Sequence, residues 1–496
     1  MEITKQSIVR TTGGLVQGGR EDGFEHWRGI PYAAPPVGPG RFRAPAPVTP
    51  WEDTLLATQY GAAPWPTEFS RFFVLGTPRT TKSEDCLTVN VTRAAGPEAG
   101  RPVIVYLYGG GNRTGSASVY PGAPLIGGSD AVFVTFNFRI GVLGFLDLAG
   151  LDAGGGFDSN LALRDQLAAL TWVQQNIAAF GGDPGNVTIY GESAGALAVT
   201  TLLAVPAAAG LFARAAAASS PAFHVYSRER SRAWARRYLQ LLDLDPADLE
   251  DIRDMPVDRL LAAATIFDKA TQRDDPGTIS VSYVVDGELL RQSPIDAIRA
   301  GRGHRVPLLI GTCRDEHKLF QKILKGELAV NYDDLCRLFA RSGDDVLDRV
   351  LAAYGGPGDT AQHPRIGGDA AFWYPSVALA EAHSAVAPTR MFRVDHAPRV
   401  CGLTGLGPTH GVDVALLFGG LDKVERWLGA AHRDRAFVDH LRADLIAFAR
   451  HGETASEWPL YEPGRRTTLV YTQTTALIDD PHADRRAAWT GFIGYV

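Results

Sequence analysis

The sequence predicts an α/β protein with a central, mostly parallel and twisted sheet and helices on both faces. Three observations predict it: short apolar runs recur along the chain, glycine and proline bound them, and segments with helical periodicity lie between them. In open sheets of this kind the chemistry lies at the carboxyl ends of the strands, so the residues that follow the runs are the candidates for function. The runs are residues 103–108, 131–136, 187–190, 306–312 and 391–394.

Helices are indicated by periodicity between these runs. In residues 161–180 apolar side chains recur three or four positions apart, and the segment stops at two glycines that suit a helix end. Residues 225–280 are helical in pattern and rich in charge, which predicts a helical insertion over one end of the sheet. The chain is otherwise expected to be one domain over residues 1–496.

Composition and charge exclude several classes of protein. The chain has 496 residues and a formal net charge of −6, and no stripe of Lys or Arg marks a face for nucleic acid. No stretch has the length and apolar composition that predict a membrane span. The first residues lack the apolar run that is typical of a secretory signal. The four cysteines form no CxxC pair, so we expect reduced thiols, no metal site and a cytoplasmic protein.

A G-x-S-x-G motif surrounds Ser193. Gly191 and Gly195 stand two residues to either side, where missing side chains allow a tight turn from strand to helix. An apolar run leads into the motif and small residues suited to a helix follow it. Ser193 is therefore predicted to be a nucleophile at a helix N-terminus, whose dipole favours developing negative charge. A serine that only caps a helix is the alternative.

Three glycines after the first apolar run could supply donors for an oxyanion. They occupy residues 109–111, between Tyr108 and Asn112. Glycine lets backbone N–H groups turn toward a substrate without a clash from Cβ, and each such donor contributes about 3 kcal/mol in the transition state. A plain glycine turn after a strand is the alternative.

An acid and then a histidine should follow the serine along the chain. Asp315 and Glu316 both follow the fourth apolar run, and position alone does not separate them. His410 and His396 both follow the fifth run, and either could be the base. His224 is a weaker candidate because it precedes both acids.

Several segments, in the right order, resemble the type-B carboxylesterase and cholinesterase family over about residues 8 to 472. The serine motif, with the Phe-Gly-Gly-Asp-Pro stretch before it, is similar to the active-site signature of that family. Several segments in order are more specific than any single motif. The other similar segments are residues 28–33, 35–38, 41–42, 83–91, 137–141, 165–166, 285–287 and 458–461.

The resemblance implies an α/β-hydrolase fold and a carboxylic ester hydrolase that works through an acyl-enzyme. It identifies Glu316 as the acid and His410 as the base that serve Ser193. The implied substrate is a small-molecule ester, and no metal or cofactor is required. The implied oxyanion donors are the backbone N–H groups of Gly110, Gly111 and Ala194.

The same resemblance implies two structural ion pairs, which join Arg41 to Glu84 and Arg139 to Asp165. Neither pair is expected to take part in the chemistry. Breaking either pair would leave an uncompensated buried charge.

Three positions depart from the pattern of the family. Cys86 has no upstream cysteine where the family commonly has a disulfide partner, which favours a reducing compartment. Asn112 stands where an aromatic residue is usual, and it is expected to be a substrate-binding residue that makes the mouth of the pocket more polar. Asp413 replaces a frequent glutamate after the histidine.

A binding protein and a lipase are the two alternatives to a carboxylesterase. Some family members lack a triad residue and act as binding proteins, but candidates for all three residues are present here. A lipase that acts on long-chain esters would need a large apolar lid, and residues 225–280 are too charged to predict one.

Overall fold

The five apolar runs lie on strands of one sheet in the structure, a computed structural model that describes residues 7–67, 80–96, 99–152, 154–429 and 431–495. Branched and aromatic side chains dominate most of these runs and fit a pleated surface. The strands are β1 (Ile8–Thr11), β2 (Gly14–Gln17), β3 (Gly19–Glu21), β4 (Phe24–Pro31), β5 (Leu55–Leu56), β6 (Thr88–Ala94), β7 (Arg101–Leu107), β8 (Val132–Phe136), β9 (Gly182–Glu192), β10 (Arg214–Ala218), β11 (Val225–Ser227), β12 (Tyr283–Val285), β13 (Leu308–Cys313), β14 (Thr389–Val394), β15 (Thr467–Tyr471) and β16 (Thr475–Asp479).

The main sheet has 11 of the described strands, in the order β16-β15-β14-β13-β10-β9-β7-β8-β6-β4-β3. All neighbours from β15 to β8 are parallel. The strands at the two edges are antiparallel to their neighbours. This order confirms the prediction of a mostly parallel central sheet.

Burial on both faces explains the continuous apolar sequence of the central strands. Every residue of β7 and of β8 is buried, although successive side chains in a strand point to opposite faces. Both faces must therefore be covered, as in other parallel sheets whose connections are helices.

Helices supply most of this cover. Helix α3 is followed directly by a 3-10 turn that ends at Gly181, where φ is 83° and glycine avoids the strain of the left-handed region. Among the described helices, none is long and apolar enough to cross a membrane. The helices are α1 (Gly122–Ile126), α2 (Val142–Phe145), α3 (Leu161–Asn176), α4 (Ala194–Leu202), α5 (Arg228–Leu241), α6 (Val257–Asp274), α7 (Pro294–Arg299), α8 (His317–Lys322), α9 (Tyr332–Phe339), α10 (Asp344–Ala353), α11 (His363–Gly368), α12 (Tyr374–Ser384), α13 (Arg399–Leu403), α14 (Val412–Leu417), α15 (Asp422–Trp427), α16 (Ala431–His451) and α17 (Ala483–Ala488).

The charge-rich segment after β11 forms α5, a 3-10 helix at Pro246–Arg253 and α6. Arg41 joins this segment to the N-terminal part of the chain. Its guanidinium donates to Glu84 at 2.7 and 2.5 Å, and also to the carbonyl oxygens of Arg253 at 2.7 Å and Met255 at 2.6 Å. The pair therefore holds the helical segment against the rest of the fold.

The second ion pair lies deeper. Arg139 donates Nε and Nη2 to the two carboxylate oxygens of Asp165 at 2.8 and 2.7 Å, and the Asp165 side chain is 0% exposed. The backbone N–H of Arg139 donates to the same carboxylate at 3.0 Å. Such bidentate, fully hydrogen-bonded geometry compensates the cost of burying both charges.

Candidate active site

The candidate residues meet at the carboxyl ends of the parallel strands. Ser193 follows β9 directly, and the three glycines follow β7. Glu316 follows β13, and His410 lies in the loop that connects β14, through α13, to α14. Because all four strands are parallel, their carboxyl ends lie at one edge of the sheet.

Ser193 lies in a strained turn between β9 and α4. Its φ is 57° and its ψ is −127°, a conformation that a residue with a side chain rarely adopts. A Cβ at Gly191 would lie 2.3 Å from the carbonyl oxygen of Gly195, and one at Gly195 would lie 2.0 Å from that of Leu107. Both flanking positions therefore require glycine, which is the reason for the motif.

The glycine loop packs directly against the serine. A Cβ at Gly109 would lie 2.9 Å from the Cβ of Ser193, and Gly110 and Gly111 both have positive φ, 126° and 58°. In the described part of the chain, the N–H groups of Gly110, Gly111 and Ala194 donate no hydrogen bond to another backbone group. Unpaired backbone donors beside a serine are suited to bind an oxyanion.

His410 contacts both the serine and the acid. Its Nε2 lies 2.8 Å from Ser193 Oγ, and its Nδ1 lies 2.6 Å from Glu316 Oε2. The imidazole ring packs against Phe372, with 4.4 Å between ring centroids, and only 2% of the side chain is exposed. The ring is therefore held in one orientation by contacts on its edge and on its face.

Glu316 is fixed by two further donors. Its Oε1 accepts from the hydroxyl of Ser219 at 2.6 Å and from the backbone N–H of Cys313 at 2.7 Å. Ser219 also has a positive φ of 55°, and its N–H donates to the carbonyl of Gly311 at 2.7 Å. The N–H of Ser193 in turn donates to the carbonyl of Ala218 at 2.9 Å. Ser219 belongs to no motif in the sequence, so no pattern pointed to this role.

The competing acid and histidines have other hydrogen-bond partners. Asp315 accepts from Lys318 at 2.8 Å and from Arg365 at 2.7 Å.

The two other candidate histidines also have their own partners. His396 Nε2 lies 2.7 Å from Asp434, and its ring is stacked on that of Phe437. His224 lies 2.9 Å from the carbonyl of Gly277 and 3.2 Å from that of Pro221. The structure thus brings Ser193, His410 and Glu316 together and leaves the other three in separate contacts.

Glu192 is a site residue that the sequence analysis missed. Its Oε1 lies 3.3 Å from His410 Nε2, and the carboxyl group is buried. Burial raises the pKa of Glu192 above its ordinary value, although the charge of the imidazole opposes the shift. Burial also lowers the pKa of His410, but the carboxylates of Glu192 and Glu316 outweigh it and raise that pKa above its ordinary value. Glu192 fills a variable position of the motif, so the pattern carried no signal for it.

Asn112 has a different environment from the expected one. Its side-chain amide donates to the carbonyl oxygen of Val281 at 3.1 Å and to the hydroxyl of Ser282 at 3.3 Å. The residue is 4% exposed and is not part of the cavity wall described below. Its side chain joins the glycine loop to the segment before β12.

A cavity beside the serine is lined by apolar and by charged residues. Ser193, His410, Gly110 and Gly111 are part of its lining. The described lining residues beyond these are Arg113, Thr114, Pro221, His224, Gly277, Ile279, Phe320, Leu324, Glu327, Leu328, Ala371 and Phe372. Among the described side chains, no group of three or more His, Cys, Asp or Glu is arranged to hold a metal ion.

Comparisons with known proteins agree with this fold. The model of the carboxylesterase family matches residues 5–489. A para-nitrobenzyl esterase of Bacillus subtilis is 35% identical over 97% of both chains, and a phenmedipham hydrolase of Pseudarthrobacter oxydans is 31% identical over 93% of this chain and 94% of the other. The solved structure of a thermophilic PNB esterase superposes with a TM-score of 0.87 at 32% identity, and covers 97% of this chain and 99% of that one.

The sheet order and these structural neighbours define an α/β-hydrolase. The chain belongs to the carboxylesterase family and is a carboxylic ester hydrolase. The resemblance, the fold class and the class of enzyme inferred from the sequence are thereby confirmed.

Proposed function

We propose that the protein hydrolyses small-molecule esters by a Ser193–His410–Glu316 triad through an acyl-enzyme. His410 takes the proton of Ser193 as Oγ attacks the ester carbonyl, and it returns that proton to the leaving alcohol. Water, activated by the same imidazole, then releases the acid. Glu316 fixes the tautomer of His410 and stabilises its charged form.

One observation carries this proposal: a single imidazole lies within hydrogen-bonding distance of both Ser193 and Glu316. The tetrahedral oxyanion would accept from the N–H groups of Gly110, Gly111 and Ala194. The strained turn supports this assignment, because backbone strain of this kind persists where the surrounding structure holds a functional group in place.

Stoichiometric labelling tests the proposal directly. A 4-nitrophenyl alkylphosphonate should release one nitrophenolate per chain and leave its phosphorus on Ser193, located by peptide mass spectrometry. A chain that binds esters without turnover would release none, and a label on another serine would contradict the assignment of the nucleophile.

Glu316→Gln is expected to lower kcat by about four orders of magnitude, because the amide can stabilise the wrong tautomer of His410. Asp315→Asn is the matched control, since that carboxylate faces Lys318 and Arg365 instead. Initial rates on 4-nitrophenyl acetate per mole of protein measure both, with far-ultraviolet circular dichroism to show that each variant is folded. A larger loss of kcat from Asp315→Asn than from Glu316→Gln would mean that Asp315 is the acid of the triad.

The pH dependence of kcat/KM should report the charges around His410. The base must be neutral to act, and nearby carboxylates raise its pKa, so kcat/KM should fall as pH drops through a midpoint above 6.5. Glu192→Gln removes a carboxylate 3.3 Å from the imidazole and should move this midpoint down by about one pH unit or more. Glu192→Asp keeps the charge and is the control. An unchanged midpoint in Glu192→Gln would show that Glu192 does not bias the base.

We also propose the cytoplasm as the compartment of the enzyme. Cys86, Cys313, Cys336 and Cys401 are free thiols, and three of them are buried. Burial raises the pKa of the Cys86 thiol and that of the Cys401 thiol, so both stay protonated and unreactive. Free thiols suit a reducing environment.

A further inference from the structure

A buried ion pair forms part of the wall of the substrate cavity. Arg113 Nη2 donates to Glu327 Oε2 at 2.5 Å, and the two side chains are 5% and 8% exposed. Both residues line the same cavity as Ser193 and His410. The proposed mechanism uses neither of them.

The pair is held in place from two sides. Arg113 lies two residues after Gly111, and a Cβ at Gly111 would lie 3.3 Å from its guanidinium. Glu327 lies in the loop after α8 and accepts from Gln272 of α6 at 2.5 Å, while Asp268 of the same helix lies 3.7 Å from the guanidinium. Groups fixed in this way are pre-organised for recognition.

Several other described residues of the wall are apolar, and an apolar substrate would not explain why the cavity also contains this ion pair. Phe320, Leu324 and Leu328 line the cavity together with Phe372. An alkyl group placed against the guanidinium and carboxylate would remove their water and replace none of its hydrogen bonds, which costs free energy. A substrate that carries its own donor and acceptor avoids that cost.

Charge decides which polar group fits. The pair presents a donor and an acceptor side by side, and the charges of Arg113 and Glu327 cancel. A substrate carboxylate would meet Glu327, with Asp268 behind it, and an ammonium group would meet Arg113. A neutral group that both accepts and donates matches the two halves at once.

We propose that Arg113 and Glu327 determine specificity, and that they select esters with a neutral hydrogen-bonding group, such as a carboxamide or a hydroxyl, on the part of the substrate directed at them. This inference rests on the proposed function. It adds to that function the chemical class of the substrate.

Matched esters test this preference. On the acyl side, ethyl succinamate carries a primary amide where ethyl 4-methylpentanoate carries an isopropyl group of similar shape, and monoethyl succinate carries a carboxylate. On the alcohol side, 2-carbamoylethyl acetate is compared with 3-methylbutyl acetate. For at least one side, kcat/KM for the amide should exceed that for the alkyl ester by about tenfold or more. Acid release in a pH-stat measures all five.

Two variants assign the preference to the pair. Arg113→Met combined with Glu327→Leu removes both charges of the pair together, while Asp268 keeps the hydroxyl of Ser280 as a donor, and should reverse the amide preference in favour of the alkyl ester. Glu327→Gln leaves Arg113 charged with nearly unchanged volume. It should raise kcat/KM for monoethyl succinate relative to ethyl succinamate by about tenfold.

The outcomes separate this inference from the proposed function. A wild-type enzyme that is labelled at Ser193 and prefers the alkyl ester on both sides overturns the inference and leaves the function intact. A double variant that keeps the wild-type amide preference also overturns it. If the double variant does not fold, Glu327→Gln provides the test. An unchanged ratio of kcat/KM for monoethyl succinate to kcat/KM for ethyl succinamate in this variant overturns the inference. Absence of labelling at Ser193 contradicts the function itself.

Discussion

Replacing Ser193 with alanine should lower kcat for 4-nitrophenyl acetate by about a millionfold. The reason is that the attacking oxygen is gone, and no other hydroxyl is recorded within hydrogen-bonding distance of His410 Nε2 among the described residues. The residual rate should come from the oxyanion donors and substrate binding alone. Initial rates at saturating ester measure the loss, with far-ultraviolet circular dichroism to show that the variant is folded.

A neighbouring serine provides the control for this substitution. Ser220 is buried and its hydroxyl lies 3.1 Å from that of Thr200, whereas the hydrogen bonds of His410 within the described residues are to Ser193 and Glu316. Ser220→Ala should keep most of the activity. A Ser193→Ala enzyme with a rate near that of the wild type would reject Ser193 as the nucleophile.

Removal of His410 should be about as damaging as removal of the serine, because the nucleophile and its base act as a unit. His410→Ala leaves Ser193 without an acceptor for its proton and Glu316 without its imidazole partner. The loss should therefore appear in kcat, at every pH between 6 and 9, and should not be additive with Ser193→Ala. Rates of the two single variants and the double variant test this.

His396 is the matched control for His410. It is also buried, and it also lies 2.7 Å from a carboxylate, that of Asp434. It differs in having the ring of Phe437 rather than a serine beside it. His396→Ala should therefore have a mild effect on activity. An inactive His396→Ala enzyme and an active His410→Ala enzyme would mean that the base was assigned to the wrong histidine.

The central strands could be read from the sequence because burial on both faces leaves a continuous apolar run. Each of the five runs lies on a strand of the main sheet, and residues 161–180 form α3 with its 3-10 extension. The turn at Ser193 was equally accessible, because close approach of the backbone demands glycine at two fixed positions. These features depend on local chemistry, which a sequence displays directly.

Contacts between segments that are distant in the sequence could not be predicted from such local patterns. Nothing local distinguishes Glu316 from Asp315, and only the resemblance to a family separated them. Arg113 and Glu327 are 214 residues apart and meet through the packing of two loops and α6. Asn112 was expected at a pocket mouth, but the backbone direction at its φ of 59° and the proximity of Val281 gave its amide other partners.

Two hydrogen bonds at the end of β10 hold residues of the proposed triad. Ala218 accepts the N–H of Ser193, and the next residue, Ser219, donates its hydroxyl to Glu316. Ser193 and Glu316 are thus anchored to two consecutive residues, the last residue of β10 and the one that follows it. A displacement of β10 would carry Ser193 and Glu316 along together, so the distance between these two residues should change little when the sheet fluctuates.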